Sequence, residues 1–144
     1  MDLFDTYEHT IDAKGRLVLP AAWRSEFANG GVIANLVTCA ALFPVANWER
    51  YRRRMEASRV FDRKELQYLL SFVSPFDLDS QHRVTLSNRL RSKLSLEREL
   101  TSVGSTTHAS VFSRAAWERL EAEVEGPRKG VASLADKIDQ LEFV

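Results

Sequence analysis

Lys14, Arg16 and Arg24 are the residues of this 144-residue chain whose types and spacing best fit a chemical task. Lys14 and Arg16 are two apart, so in extended backbone their side chains leave from one face. Arg24 falls just beyond, on a segment that reads as a short helix. An arginine fork takes a phosphate or reads guanine O6 and N7 bidentately, whereas a lysine acts as a point charge. The three are candidate contacts to double-stranded DNA, because a hairpin or ribbon carrying them fits a major groove. Asp12 would repel phosphates. Its expected part is to anchor the loop through backbone N–H groups or to hold Arg16 in place. Gly15 supplies the positive φ that a tight strand–strand connection needs. The plain alternative is a solvated hairpin whose basic residues keep an edge from aggregating.

The elements that must position these residues occur twice. Asp12-Ala13-Lys14-Gly15-Arg16-Leu17-Val18-Leu19-Pro20 returns as Asp79-Ser80-Gln81-His82-Arg83-Val84-Thr85-Leu86-Ser87, an offset of 67. Phe43-Pro44-Val45-Ala46-Asn47-Trp48-Glu49-Arg50 returns as Phe112-Ser113-Arg114-Ala115-Ala116-Trp117-Glu118-Arg119, an offset of 69. Two ordered pairs at nearly constant offset read as an internal repeat. Asp79 and Arg83 are expected to structure the second loop.

Leu17–Leu19 and Val84–Leu86 are short β-prone runs after turns. Pro20 opens a short helix over Ala21–Phe27, and Asn29-Gly30-Gly31 forces a turn. Val32–Thr38 with Ala40–Phe43, and Leu100–Gly104 with Ala109–Phe112, read as strand pairs. Periodicity predicts helices over Asn47–Ala57, Asp62–Val73 and Ser113–Val124. Asp62 with Glu65 forms a capping box, and Ser113 is an N-cap with Phe112 and Trp117 as a staple. A tail helix runs from Ser133 with Leu134, Ile138 and Leu141 as its apolar face. The run Arg50, Arg52, Arg53 and Arg54 reads as a solvated helix face with Glu49 and Glu56 as partners. Trp23, Trp48 and Trp117 read as packing residues rather than base-stacking platforms.

Composition narrows the class. Twenty Lys and Arg balance twenty Asp and Glu, giving zero net charge. That excludes coating nucleic acid by bulk charge but leaves room for a local basic face. No apolar run approaches the roughly 18 residues of a membrane span. The acidic N-terminus resembles no secretion signal, and the single Cys39 forms no internal disulfide, so a cytoplasmic setting is expected. His9, His82 and His108 lack partners at metal-ligand spacing, so no metal or cofactor is expected. No phosphate loop, nucleophile elbow or paired-carboxylate motif occurs, so no enzyme and no small-molecule substrate are expected.

The run His9 to Pro20 closely resembles the N-terminal signature of the MraZ family, and its Asp-x-x-Gly-Arg core resembles the wider SpoVT/AbrB superfamily. The resemblance, with its second motif at Asp79–Arg83, spans nearly the whole chain. It implies an α+β fold of two tandem swapped-hairpin β-barrel modules with flanking helices and a pseudo-two-fold. The expected division is residues 1–60 for the first module, 61–74 for a connecting helix, 75–126 for the second module, and 127–144 for a linker and tail. It further implies a transcription regulator of division and cell-wall genes, associated with the nucleoid, that binds short promoter repeats as a ring-shaped homo-oligomer. An antitoxin-like or purely structural interaction module is the alternative. The second motif departs from the family's pattern. His82 stands in place of glycine and Ser87 opposite Pro20, and near the N-terminus Thr6 replaces a family glycine. His82 is expected to crowd its turn, leaving Lys14, Arg16 and Arg24 to contact DNA.

Overall fold

The computed structural model describes residues 3–141. The ends of the expected first module and of the tail, residues 1–2 and 142–144, lie outside the described residues.

The chain forms β1 (Thr6–Thr10), β2 (Arg16–Val18), a 3-10 helix (Ala21–Phe27), β3 (Gly31–Asn35), β4 (Ala40–Pro44), α1 (Val45–Ala57) and α2 (Arg63–Leu70). Then follow β5 (Ser74–Phe76), β6 (Arg83–Thr85), α3 (Asn88–Leu94), β7 (Glu99–Gly104), β8 (Ala109–Ser113), α4 (Arg114–Glu125) and α5 (Leu134–Asp139). Six strands make one antiparallel sheet, ordered β1-β7-β8-β4-β3-β5, while β2 and β6 pair separately.

The fold is therefore mixed α and β with an antiparallel sheet, and the expected barrel is not closed. The large sheet ends at β1 and β5, with the β2–β6 ribbon apart from it. The reason is local. Between β1 and β2, Gly15 at φ 81 turns the chain off the sheet. Beyond β2, Pro20 has no N–H with which to prolong a ladder.

Every residue of β3 and β4 is buried, as a central strand covered on both faces requires. Alternation then divides the core in two. Ile33, Ala40 and Leu42 face a cluster with Leu17, Trp23, Phe27, Val84, Leu86 and Leu90. Val32, Ala34, Ala41 and Phe43 face a second cluster with Trp48 and Met55. The ribbon, the 3-10 helix and α3 thus supply one side of the sheet, and α1 with α2 the other.

The strand pairing maps onto itself when the halves are exchanged. His9 pairs with Leu100, and Gly31 pairs with Phe76. The offset of 67 carries His9 to Phe76, and the offset of 69 carries Gly31 to Leu100. Likewise Arg16 pairs with Thr85 and Val18 with Arg83. Ala40 pairs with Val111 and Leu42 with Ala109. Two pairs of equivalents face each other directly: Leu17 with Val84, and Ala41 with Ser110.

Helix starts follow the expected chemistry. Asp62 and Glu65 close a capping box, and Ser113 accepts from the Ala116 N–H at 3.1 Å. The Phe112 and Trp117 rings lie 5.1 Å apart as the staple. Three elements gave no periodic signal. β1 and β5 are edge strands, half-exposed and polar, and β5 carries Pro75, which only an edge tolerates. Helix α3 buries Leu90 alone, under a Ser87 N-cap.

Candidate nucleic-acid interface

Leu17 and Val84 point into the core from the centre of the ribbon, each 1% exposed. Their neighbours Arg16, Val18, Arg83 and Thr85 must therefore share the opposite face. Arg16 and Arg83 lie diagonally across that face, because Arg16 stands opposite Thr85 and Arg83 opposite Val18. Two arginines 67 residues apart in sequence are thus neighbours on one solvent-facing surface.

Each arginine is oriented by its own loop. Asp12 Oδ1 accepts from the backbone N–H of Lys14 at 3.0 Å and of Arg16 at 2.9 Å, while Oδ2 accepts from Arg16 Nε at 2.7 Å. Asp79 Oδ1 accepts from the N–H of Gln81 and of Arg83, both at 2.9 Å, and Oδ2 from Arg83 Nε at 2.8 Å. The Arg16 backbone N–H, with the guanidinium behind it, holds the Asp12 carboxyl below its ordinary value; Arg83 does the same for Asp79. Each ion pair uses Nε, and neither arginine's terminal nitrogens donate a hydrogen bond to any described residue. The carboxylate fixes the fork and leaves its tip available for an acceptor.

The turns themselves match. Gly15 donates its N–H to the Asp12 carbonyl at 3.0 Å, and His82 to the Asp79 carbonyl at 2.9 Å. Gly15 has φ 81 and His82 has φ 58. The crowding expected at His82 does not distort its turn: histidine accepts the left-handed region better than most side chains. Gly15 is the stricter position. A Cβ there would stand 2.6 Å from the Leu86 carbonyl oxygen and 2.7 Å from Arg91 Nε.

That approach identifies a residue whose only sequence signal was its repeat equivalence with Arg24. Arg91 lies against Gly15 of the first loop and donates Nε to the Leu86 carbonyl at 3.1 Å. Arg24 donates Nε to the Leu19 carbonyl at 3.0 Å and lines a groove with Asp79 and His82 of the second loop. Each helical arginine thus borders the loop of the other half.

A family model described as "MraZ protein, putative antitoxin-like" matches residues 3–68 and 74–136. The chain belongs to the MraZ family. A protein of Moorella thermoacetica named transcriptional regulator MraZ is 32% identical over 130 residues, covering 88% of this chain and 91% of its own length. One of Salinispora arenicola with the same name is 35% identical over 124 residues, covering 83% and 87%. The two MraZ matches each take one half of the chain. The first ends within α2 and the second within α5, and the repeat offset of 69 carries α2 onto residues 132–139, over α5.

The remaining basic and aromatic residues of this MraZ chain sit elsewhere. Arg52 bridges Glu49 and Glu56, both at 2.8 Å, and so neutralises its charge along α1, while Arg50 bonds the neutral amide of Asn47. Trp23 and Trp48 are buried and Trp117 half-buried, so none forms an open stacking platform. Burial raises the Cys39 thiol above its ordinary value, which keeps it protonated and unreactive. Among the described residues no group of three or more His, Cys, Asp or Glu could hold a metal ion, and no helix is long and apolar enough to cross a membrane.

Proposed function

We propose that this chain is a sequence-specific, DNA-binding transcription regulator that works on the nucleoid in the cytoplasm. The observation that carries the reading is the ribbon face with its two Asp-oriented arginines. It is narrow and solvent-facing, and it presents two guanidinium tips in a chain of zero net charge. A two-stranded ribbon is of a size to enter a major groove. Lys14 and Arg16 are the proposed base and phosphate contacts, and Arg24 adds a basic group on the other side of the ribbon, beside Asp79 and His82 of the second loop. Asp12, Gly15, Asp79 and Arg83 hold the two loops in shape, and the outer end of the Arg83 guanidinium adds a phosphate contact beside the first loop. The relatives' name, transcriptional regulator, supports the same reading.

The two halves are proposed as modules of residues 1–60 and 75–126, joined by 61–74, with their hairpins swapped. The reciprocal pairing supports this. The chain is further proposed to assemble with copies of itself into a ring. One ribbon offers few contacts, and a symmetric array would let several act together on repeated promoter sites. The test is a gel shift on the chain's own upstream promoter DNA at two salt concentrations. Binding that falls with salt and is lost in Arg16→Ala is expected. Salt-independent binding, or none by the wild type, would refute the reading.

A further inference from the structure

The two halves treat their long helices differently. On α1, Trp48 and Met55 are each 6% exposed, and Phe61, Leu66 and Leu69 from the α2 segment pack against their cluster. On α4 no residue is buried. The offset of 69 equates Trp48, Tyr51 and Met55 with Trp117, Leu120 and Val124, and these three stay half-exposed. The helix in the place of α2 is α5. Its Leu134 and Ile138, and Leu141 just beyond its end, are 44%, 60% and 59% exposed. One half therefore closes a helix onto a seat, and the other leaves the equivalent seat half-exposed at Trp117 and Leu120, with α5 reaching only Val124 at the end of α4.

The chain exit from each long helix accounts for the difference. After α1, Ser58 stays helical and Arg59 takes φ 58, a left-handed reversal that returns the chain toward α2. After α4, Gly126 is extended at φ −83 and ψ 167, and Pro127 follows. Proline locks its own φ near −65° and keeps the preceding residue extended. Pro127 therefore leads the chain straight on from α4, the left-handed residue comes only at Gly130 with φ 74, and α5 meets α4 only at its C-terminal end, where Leu134 and Ala135 share a cavity with Val124 and Glu125.

Charge matches the two surfaces. The groove at Leu120 is rimmed by Lys93, Arg119 and Glu123. Helix α5 flanks its apolar residues with Asp136, Asp139 and Lys137. Two acids and one base meet two bases and one acid.

We propose that α5 of one copy docks on the α4 face of a second copy, in the manner that α2 covers α1 within the first half. This rests on the self-association proposed above and names the surface that mediates it. A helix as short as α5 is marginal alone in water, so docking would also order it.

The test traps the contact in full-length protein. Leu120→Cys and Ile138→Cys are made in separate chains, mixed and oxidised with copper phenanthroline. The native Cys39 is 4% exposed and stays out of reach. The expected product is a disulfide between the two different chains, in excess of either variant oxidised alone. A chain carrying both substitutions is expected to link to other copies. If it closes on itself instead, or if the mixture gives no mixed product, the docking is overturned. Light scattering then separates the two ideas. Leu120→Glu and Ile138→Glu are each expected to lower the assembly mass while circular dichroism stays unchanged. If both keep the wild-type mass, α5 docking fails and self-association stands. If the wild type is itself monomeric, self-association fails too.

Discussion

Leu17 and Val84 face each other across the centre of the two-stranded ribbon, and each is 1% exposed. They are equivalent residues of the two repeats, so the interior of the molecule is sealed where the halves meet. Leu17→Ala removes buried volume at that seam and should cost about 2–5 kcal/mol. Because β1 pairs with β7 and β3 with β5, neither half holds a complete sheet alone. Urea denaturation followed by fluorescence and by circular dichroism should give coincident single transitions for wild type and variant. Two separate transitions would show that the halves fold independently.

The hairpin tips offer a gain in stability. Val37, between β3 and β4, has φ 72, and Thr106, between β7 and β8, has φ 66. Both are β-branched, the side-chain type least suited to the left-handed region. Val37 is also 65% exposed, so its replacement loses little burial. Val37→Asn should stabilise the fold by about 1 kcal/mol, read as a raised urea midpoint with unchanged slope.

Much of this was legible because the same chemistry recurs. The Asp-x-x-x-Arg motif announces its loop through the carboxylate that must accept from two N–H groups and one guanidinium. A short apolar run located β4, and capping residues located α2 and α4. The layout of strands was not legible. A two-residue periodicity says which face a residue takes, not which strand lies beside it. The exchange of β1 and β5 between halves, and hence the open sheet, came from pairings far apart in sequence. The same exchange hid Arg91, which serves the loop of the other repeat.

Histidine burial predicts an acid-sensitive fold. His9 lies within 2.6 Å of Ser102 Oγ, and burial lowers its pKa against a smaller opposing hydrogen bond to the Val18 backbone. Burial lowers His108 as well. A group whose folded pKa lies below its unfolded value stabilises at pH above that unfolded value and loses the contribution as pH falls through the folded one. The melting temperature should therefore hold above about pH 6.5, the ordinary histidine value, and decline below it. His9→Gln should make that decline shallower, and adding His108→Gln shallower still. An unchanged slope in the double variant would assign the decline to other groups.

The loop carboxylates act in a lower window. The pKa values of Asp12 and Asp79 are lowered, first by the backbone N–H of Arg16 and of Arg83. Their ordering effect is complete above the ordinary carboxylate value, about 3.9, and is lost as pH falls through the lowered values. At neutral pH, Asp12→Asn keeps an acceptor for the Lys14 and Arg16 N–H groups but loses the ion pair. Asp12→Ala loses both. Amide exchange at Lys14 and Arg16 should therefore quicken in the order wild type, Asn, Ala. Equal rates in all three would show that the turn holds without its carboxylate.

The two arginines of the ribbon should differ in what they read although their settings match. Each is fixed through Nε by an aspartate four residues earlier, and both share one face. The difference lies in the loops. The first offers Lys14 and the side-chain-free Gly15, and the second offers Gln81 and His82. A groove can approach the first loop more closely and meets more positive charge there. Arg16→Ala should thus cost about 1–3 kcal/mol of promoter binding and relax sequence preference, as loss of a base contact does. Arg83→Ala should have the smaller effect, weakening specific and scrambled DNA alike and flattening the salt slope by about 1 unit, as loss of a phosphate contact does. Fluorescence-anisotropy titrations on both DNAs at several salt concentrations measure each quantity, with circular dichroism as the folding check. If a folded Arg83→Ala loses promoter specificity while Arg16→Ala keeps it, the second loop is the reader and the contributions of Lys14 and Gly15 must be reassigned.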